Sequence, residues 1–138
     1  MATNQLRVSE AAALAGVSDD TIRRWADAGR LDLIKGENGR HAVEGKQLAA
    51  LLQELATESP LSPTSKTSAR NRLTGIVTRV TKDTVMAQVE LQAGPFRIVS
   101  LISREAVDEL GIEVGTIAAA TIKATSVSIS LPDKAQGF

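Results

Sequence analysis

Apolar positions in the first half of this chain recur at helical spacing, and those beyond residue 72 alternate at strand spacing. Residues 8–17, Val-Ser-Glu-Ala-Ala-Ala-Leu-Ala-Gly-Val, predict a short helix. Ser9 is placed to cap its start, and Gly16 suits the left-handed position that ends it. Ser18 then caps a second helix, residues 19–28, closed by Gly29. Asp19 and Asp20 complement the dipole of its first turn. Val17, Ile22 and Trp25 fall on one face and are predicted to pack against Leu14. Thr21, Arg23 and Arg24 lie on the opposite, solvent-facing side. Residues 31–35, a Gly36-Glu37-Asn38-Gly39 turn and residues 40–43 read as strand, turn, strand, a small wing. A third helix runs from about Gly45 to Ala56, with Leu48, Leu51, Leu52 and Leu55 as its buried stripe.

Residues 57–67, Thr-Glu-Ser-Pro-Leu-Ser-Pro-Thr-Ser-Lys-Thr, have the composition of a linker, because prolines and hydroxyls deny them a packed core. The pattern then changes. Strands are predicted over 73–80, 85–91, 96–102, 116–123 and 126–131, with one short helix over 103–110 ended by Gly111. Five short strands with a helix between the third and fourth outline a small oligonucleotide/oligosaccharide-type (OB-like) barrel. The expected fold class is α+β. The domains are a winged helix-turn-helix over 1–56, a linker over 57–67, the barrel over 68–132 and a tail over 133–138.

Composition narrows the function. Aromatics are 2% of the chain, too few for base-stacking RNA platforms. There is no cysteine and one histidine, which excludes thiolate or His-rich metal sites. The net charge is zero, and residues 1–60 carry seven Lys/Arg against nine Asp/Glu, so no global pull toward nucleic acid exists. The absence of a leader and of a long apolar run points to a soluble cytoplasmic protein without a membrane partner. No nucleophile–base pair, metal-ligand spacing or phosphate loop indicates an enzyme.

Chemistry concentrates in Ser68-Ala69-Arg70-Asn71 and in Lys123-Ala124-Thr125. Each mixes hydroxyl and cationic groups at the edge of a strand. Taken singly, each is a capping serine, a surface charge or a strand-favouring threonine. Together they form a set of donors almost free of acceptors, which suits a multivalent oxyanion. Ser68 and Thr125 offer hydroxyls, and the amides around Ala69, Arg70 and Ala124 offer N–H groups. Arg70 and Lys123 offer charge, the guanidinium reaching two oxygens at once. Ser103 opens the short helix, where anions are favoured.

Two resemblances follow from these residues. Ala11, Leu14, Gly16-Val17-Ser18, Thr21-Ile22-Arg23-Arg24-Trp25 and Gly29-Arg30-Leu31 resemble the winged-helix DNA-binding domain of the MerR and excisionase-like families. The resemblance implies that the second helix enters the major groove, with Thr21, Arg23 and Arg24 as groove candidates. Lys35, Arg40 and His41 are the wing candidates. The long coiled-coil helix through which MerR proteins dimerise is missing. Ser68-Ala69-Arg70-Asn71-Arg72-Leu73-Thr74-Gly75, Ser103-Arg104-Glu105-Ala106-Val107 and Ile122-Lys123-Ala124-Thr125 resemble a Mop domain, the molybdate-binding version of the TOBE fold. That resemblance implies a molybdate or tungstate ligand, held by Ser68, Ala69, Arg70, Lys123, Ala124 and Thr125 at a subunit interface. Ser103 is then the neighbouring subunit's contribution, no side chain ligates the metal directly, and the assembly is a dimer or a trimer of dimers. The expected function is a molybdate- or tungstate-responsive DNA-binding transcriptional regulator. The alternative is a molybdate store whose DNA-binding half is inactive.

Overall fold

The computed structural model describes residues 4–36, 39–57 and 66–132. Two compact units make up the chain, with the boundary between Thr57 and Lys66. Most of the expected linker, and the expected tail, lie outside the described residues. No described helix is long and apolar enough to cross a membrane.

The first unit runs β1 (Gln5–Arg7), α1 (Val8–Ala15), α2 (Asp19–Asp27), β2 (Leu33–Lys35), β3 (His41–Glu44) and α3 (Gly45–Thr57). The strands form an antiparallel sheet in the order β1-β3-β2, with Leu6 opposite Val43 and Ile34 opposite Ala42. Against it pack Val8, Ala11, Ile22, Leu31, Leu48 and Leu51, all buried. Ser18 caps α2 as expected, its hydroxyl accepting from the Thr21 N–H at 3.2 Å. Gly16 closes α1 at φ 70°, a conformation that costs other residues about 1 kcal/mol or more.

Three local expectations change. Strand β1 is too short to show a period, so only its pairing reveals it. Arg7, not Ser9, is the cap of α1. The Glu10 carboxylate accepts from the Arg7 backbone N–H at 3.2 Å and from its Nε at 2.9 Å, leaving Ser9 within the helix. Leu14 does not join the core and is 54% exposed. The inward stripe of α1 is instead Val8, Ala11, Ala12 and Ala15, at i, i+3, i+4 and i+7, and Leu14 falls well to one side of it.

The second unit runs β4 (Asn71–Lys82), β5 (Met86–Ala93), β6 (Phe96–Ser103), α4 (Arg104–Leu110) and β7 (Ile117–Ile122), followed by a 3₁₀ turn at Ala124–Ser126. Its sheet is antiparallel in the order β6-β5-β4-β7. A register shift between Val77 and Arg79 bends β4 at the point where it leaves β7 and continues on β5. Val77, Ala87, Val89, Leu91 and Val107 fill the concave face, α4 covering it through Val107. On the other face the buried Glu90 carboxylate accepts from Arg97 Nη2 at 2.6 Å and Nε at 2.7 Å. The two edge strands, β6 and β7, line one apolar cleft of about 370 Å³ through Ile98, Ile102, Ala118 and Ala120.

Of the five strands expected for an OB-like barrel, four form this curled sheet. Residues 126–131 alternate Ser-Val-Ser-Ile-Ser-Leu, as the strand prediction requires, yet they pair with no described strand. Val127, Ile129 and Leu131 are 42%, 88% and 90% exposed. Alternation fixes what a strand needs, but a ladder also requires a neighbour with free N–H and C=O groups.

Gly75 marks the closest approach in the sheet. A Cβ there would run into the backbone carbonyl of Gln92 and the Cα of Ala93, neither of which can rotate away. Gly75→Ala is expected to lower the stability of the second unit by roughly 1–3 kcal/mol. Urea unfolding followed by circular dichroism checks this as a fall in midpoint at unchanged slope.

Candidate functional site

Register places the two donor-rich motifs side by side. Strands β4 and β7 are antiparallel with Asn71 opposite Ile122, so Arg70 and Lys123 leave the sheet next to each other. Asn71 fastens this end, its Nδ2 donating to the Ile122 carbonyl at 3.0 Å. Ser68 and Arg70 are exposed, as are Lys123, Ala124 and Thr125, while Ala69 is half-buried. The Ala69 N–H donates to Thr67 Oγ1 at 3.2 Å and Arg70 Nη1 to the Thr67 carbonyl at 3.3 Å, contacts that shape the 67–70 loop. Beyond Lys123 the chain turns in a 3₁₀ loop, with Ser126 N–H on the Lys123 carbonyl at 2.9 Å and Val127 N–H on the Ala124 carbonyl at 3.2 Å. Such a turn leaves the N–H groups of its first two residues, Ala124 and Thr125, outside its own hydrogen bonds. The loop carrying Ser68 and Arg70 and the turn carrying Lys123 and Thr125 thus leave neighbouring strand ends, and the donors they carry are of the kind an anion with only acceptor oxygens would use.

Ser103 is not brought to this corner. It ends β6 opposite Met86, at the end of the sheet where Lys82 faces Ala87. The 12 residues of β4 run between the two ends, roughly 36 Å of backbone at about 3.3 Å per residue. Ser103 caps α4, its hydroxyl accepting from the Ala106 N–H at 3.0 Å, which leaves its own O–H hydrogen to donate elsewhere. The β4–β5 turn and α4 are tied together nearby. Arg104 donates its N–H to the Val85 carbonyl at 2.9 Å and its Nη1 to the Asp83 carbonyl at 3.2 Å. Among the described residues no three His, Cys, Asp or Glu side chains converge as they would around a bare cation.

The nucleic-acid candidates lie in the first unit. Arg23, Arg40 and His41 line one open cleft, joined there by Arg7, Ser9 and Asp19. Thr21, Arg24 and Lys35 lie outside it. Arg24 Nη2 donates to Thr21 Oγ1 at 3.0 Å, and Ser18 Oγ sits 3.0 Å from the same oxygen, so the exposed Arg24 is tied to the half-buried Thr21 on α2. Lys35 faces His41 across the wing ladder, and the Gly36 N–H on the Arg40 carbonyl at 2.7 Å narrows the wing tip. Arg7 and Asn71 escaped the sequence reading. Asn71 stood in the motif but carried no role, and Arg7 sits on a strand too short to be recognised.

Comparison with known proteins follows this division. The TOBE domain family matches residues 67–129 and the MerR family regulatory protein family matches residues 7–40. Over 63 residues the chain is 44% identical to molybdenum-pterin-binding protein 3 of Clostridium pasteurianum, covering 45% of this chain and 93% of that protein. Among solved structures it is similar to a molybdate binding protein from Sporomusa ovata, at 30% identity and a TM-score of 0.47 over 49% of this chain and all of that one. It is also similar to MopII from Clostridium pasteurianum in an apo form, at 42% identity and a TM-score of 0.45 over 48% of this chain and all of that one.

Two carboxylates at the Ser103 end carry a pH signature. The N–H groups of Met86 and Val85, at 2.7 and 2.8 Å, hold Asp83 below its ordinary value of 3.8. The Lys82 ammonium, at 3.0 Å, does the same for Asp108. Both folded-state values are depressed, so their stabilisation is fully present above the unfolded-chain value and is lost as pH falls through the lower, folded one. Denaturation midpoints of the second unit are expected to hold from pH 7 to about 5 and to decline below about 4. Asp83→Asn is expected to lower the neutral-pH midpoint and flatten that acid decline. A decline of unaltered steepness in the variant would remove Asp83 as its cause.

Proposed function

This chain belongs, through its second half, to the molybdenum-pterin-binding protein family, and from that membership we propose that it is a cytoplasmic DNA-binding regulator responding to molybdate or tungstate. The observation that carries the ligand half of this reading is the Asn71–Ile122 register, which sets Ser68, Ala69 and Arg70 beside Lys123, Ala124 and Thr125. Molybdate and tungstate are tetrahedral dianions whose four oxygens accept hydrogen bonds and donate none. A corner of hydroxyls, amides, a guanidinium and an ammonium complements them on charge and on hydrogen-bond sense alike. An anion that retains a proton is at a disadvantage there, because its O–H meets mostly donors and few acceptors.

The site is completed by a second copy. Ser103 lies at the far end of its own sheet and so reaches the corner only from another subunit. Self-association is further supported by residues 126–131, whose alternating apolar side chains are uncovered in one chain, and by a four-stranded sheet with two open edges. A dimer, or a trimer of dimers, buries both. An anion held between subunits favours the assembled form over the free one, which is the differential binding that a ligand-driven switch requires.

The DNA half of the reading rests on the MerR-like match over residues 7–40 and on two helices joined by a capped, glycine-closed turn, with Arg23 and Arg24 exposed and Thr21 half-buried on the second. Pairing through the second unit takes the place of a coiled coil, and holding two DNA-binding units together raises their effective concentration on a two-fold site.

Calorimetric titration tests the ligand. Wild type is expected to bind molybdate and tungstate. Arg70→Ala and Lys123→Ala are each expected to weaken binding about 10- to 100-fold, the worth of a charge-assisted hydrogen bond, with circular dichroism unchanged. Unaltered affinity in both variants would remove this corner as the site. The DNA role is tested by retardation of the protein's own upstream region with and without molybdate. A molybdate-dependent shift is expected; molybdate binding with no shift on any upstream fragment would favour a store.

A further inference from the structure

The donors of the two motifs are not equally at hand. The N–H groups of Ala124 and Thr125 stand outside the hydrogen bonds of their own 3₁₀ turn, which uses the N–H groups of Ser126 and Val127. The Ala69 N–H, by contrast, is already engaged. It donates to Thr67 Oγ1 at 3.2 Å, while Arg70 Nη1 donates to the Thr67 carbonyl at 3.3 Å. A single exposed residue thus sets two acceptor oxygens against two of the donors on which the anion reading rests. The two donors differ in what this leaves them. A guanidinium has several N–H hydrogens and can serve Thr67 and another acceptor together, whereas a backbone amide has one.

We propose that Thr67 is an internal competitor for the anion. Its hydroxyl oxygen holds the Ala69 N–H that an oxyanion takes on binding, so Thr67 lowers affinity and sets the anion concentration at which the site fills. This rests on the anion-binding reading above. The argument is one of hydrogen-bond sense. Molybdate oxygens only accept, and toward Ala69 and Arg70 both Thr67 oxygens accept as well, so one amide hydrogen cannot serve both. The exchange runs toward the anion, because an N–H bond to a charged acceptor is roughly twice as strong as one to a neutral hydroxyl. What is given up is weak. The Thr67–Ala69 bond is exposed, spans two residues and lies at the long end of the N–H···O range. Asn71 keeps its Nδ2 on the Ile122 carbonyl at 3.0 Å, which anchors the start of β4, so Thr67 is released without disturbing the register. By linkage, whatever holds Thr67 in place weakens anion binding, and whatever draws it away strengthens it.

Two substitutions in the full chain, each titrated calorimetrically with sodium molybdate, test this. Thr67→Val keeps the branched shape and removes the acceptor. It is expected to tighten binding by about 2- to 10-fold, the strength of one neutral hydrogen bond. Thr67→Ser keeps the acceptor and is expected to bind as wild type does. The Ala69 amide can also be watched directly. Ser68-Ala69 is the one Ser-Ala pair in the sequence, so ¹³C at serine carbonyls with ¹⁵N at alanine nitrogens isolates its resonance by NMR. That resonance is expected to differ between wild type and Thr67→Val before molybdate is added. At saturation the two are expected to converge, since the anion is then the partner in both. A Thr67→Val affinity that is unchanged or weaker overturns the competitor; a weaker one is what a hydroxyl donating its own hydrogen to the anion would give. Resonances that stay as far apart at saturation as at the start also overturn it. In each of these cases wild-type binding, and its loss in Arg70→Ala, leave the site itself standing. A wild type that binds no molybdate overturns the competitor together with the anion reading beneath it.

Discussion

The second unit depends on one strand serving two partners. The first half of β4 is hydrogen-bonded to β7 and the second half to β5, with the register shift after Val77 as the point of exchange. Because the Asn71 end must lie against Ile122, the loop before β4 and the loop after β7 are obliged to emerge together. That single register brings residues far apart in sequence to one corner. It also fixes where Ser103 cannot be, since β5 and β6 fold back on the opposite end of the same strand. A slip of one residue would turn every side chain of β4 to the other face and separate the two motifs. Gly75 belongs to this constraint, because the backbone of Gln92 and Ala93 occupies the space where any larger residue would put its Cβ.

An open sheet is the price of that arrangement in a single chain. Its edges, β6 and β7, curl round one apolar cleft, and the segment with the right alternation to fill such a gap, residues 126–131, stands uncovered beside it in sequence. The donor corner is contiguous with this segment, since the 3₁₀ turn that presents Ala124 and Thr125 leads straight into Val127. The donor-rich turn and the uncovered segment are thus adjacent stretches of one backbone.

In the first unit the governing fact is the placement of charge. Composition gives an acidic half and no global attraction for DNA, but the fold gathers Arg7, Arg23, Arg40 and His41 around one cleft, with Asp19 on its wall. Strand β1 carries Arg7 up to the start of α1, opposite the wing strand β3. Electrostatic arguments from counts fail for this reason: a count has no positions, and screening makes only nearby positions matter.

Much of this was legible in the chain itself. Helices α1, α2 and α3, the wing, four of five strands and the short helix followed from local rules, because caps, glycine turns and hydrophobic period act over a few residues and need no partner. The donor character of Ser68, Arg70, Lys123 and Thr125 is likewise a property of residue type. What the tertiary structure decided was every matter of pairing. It placed Arg7 at the cap instead of Ser9, and it turned Leu14 away because the buried stripe of α1 is set by what α1 packs against. It sent Ser103 to the other end of the sheet and left residues 126–131 without a neighbour in their own chain. A sequence pattern records what a segment would satisfy; which surface satisfies it is settled only when the whole backbone has been laid down.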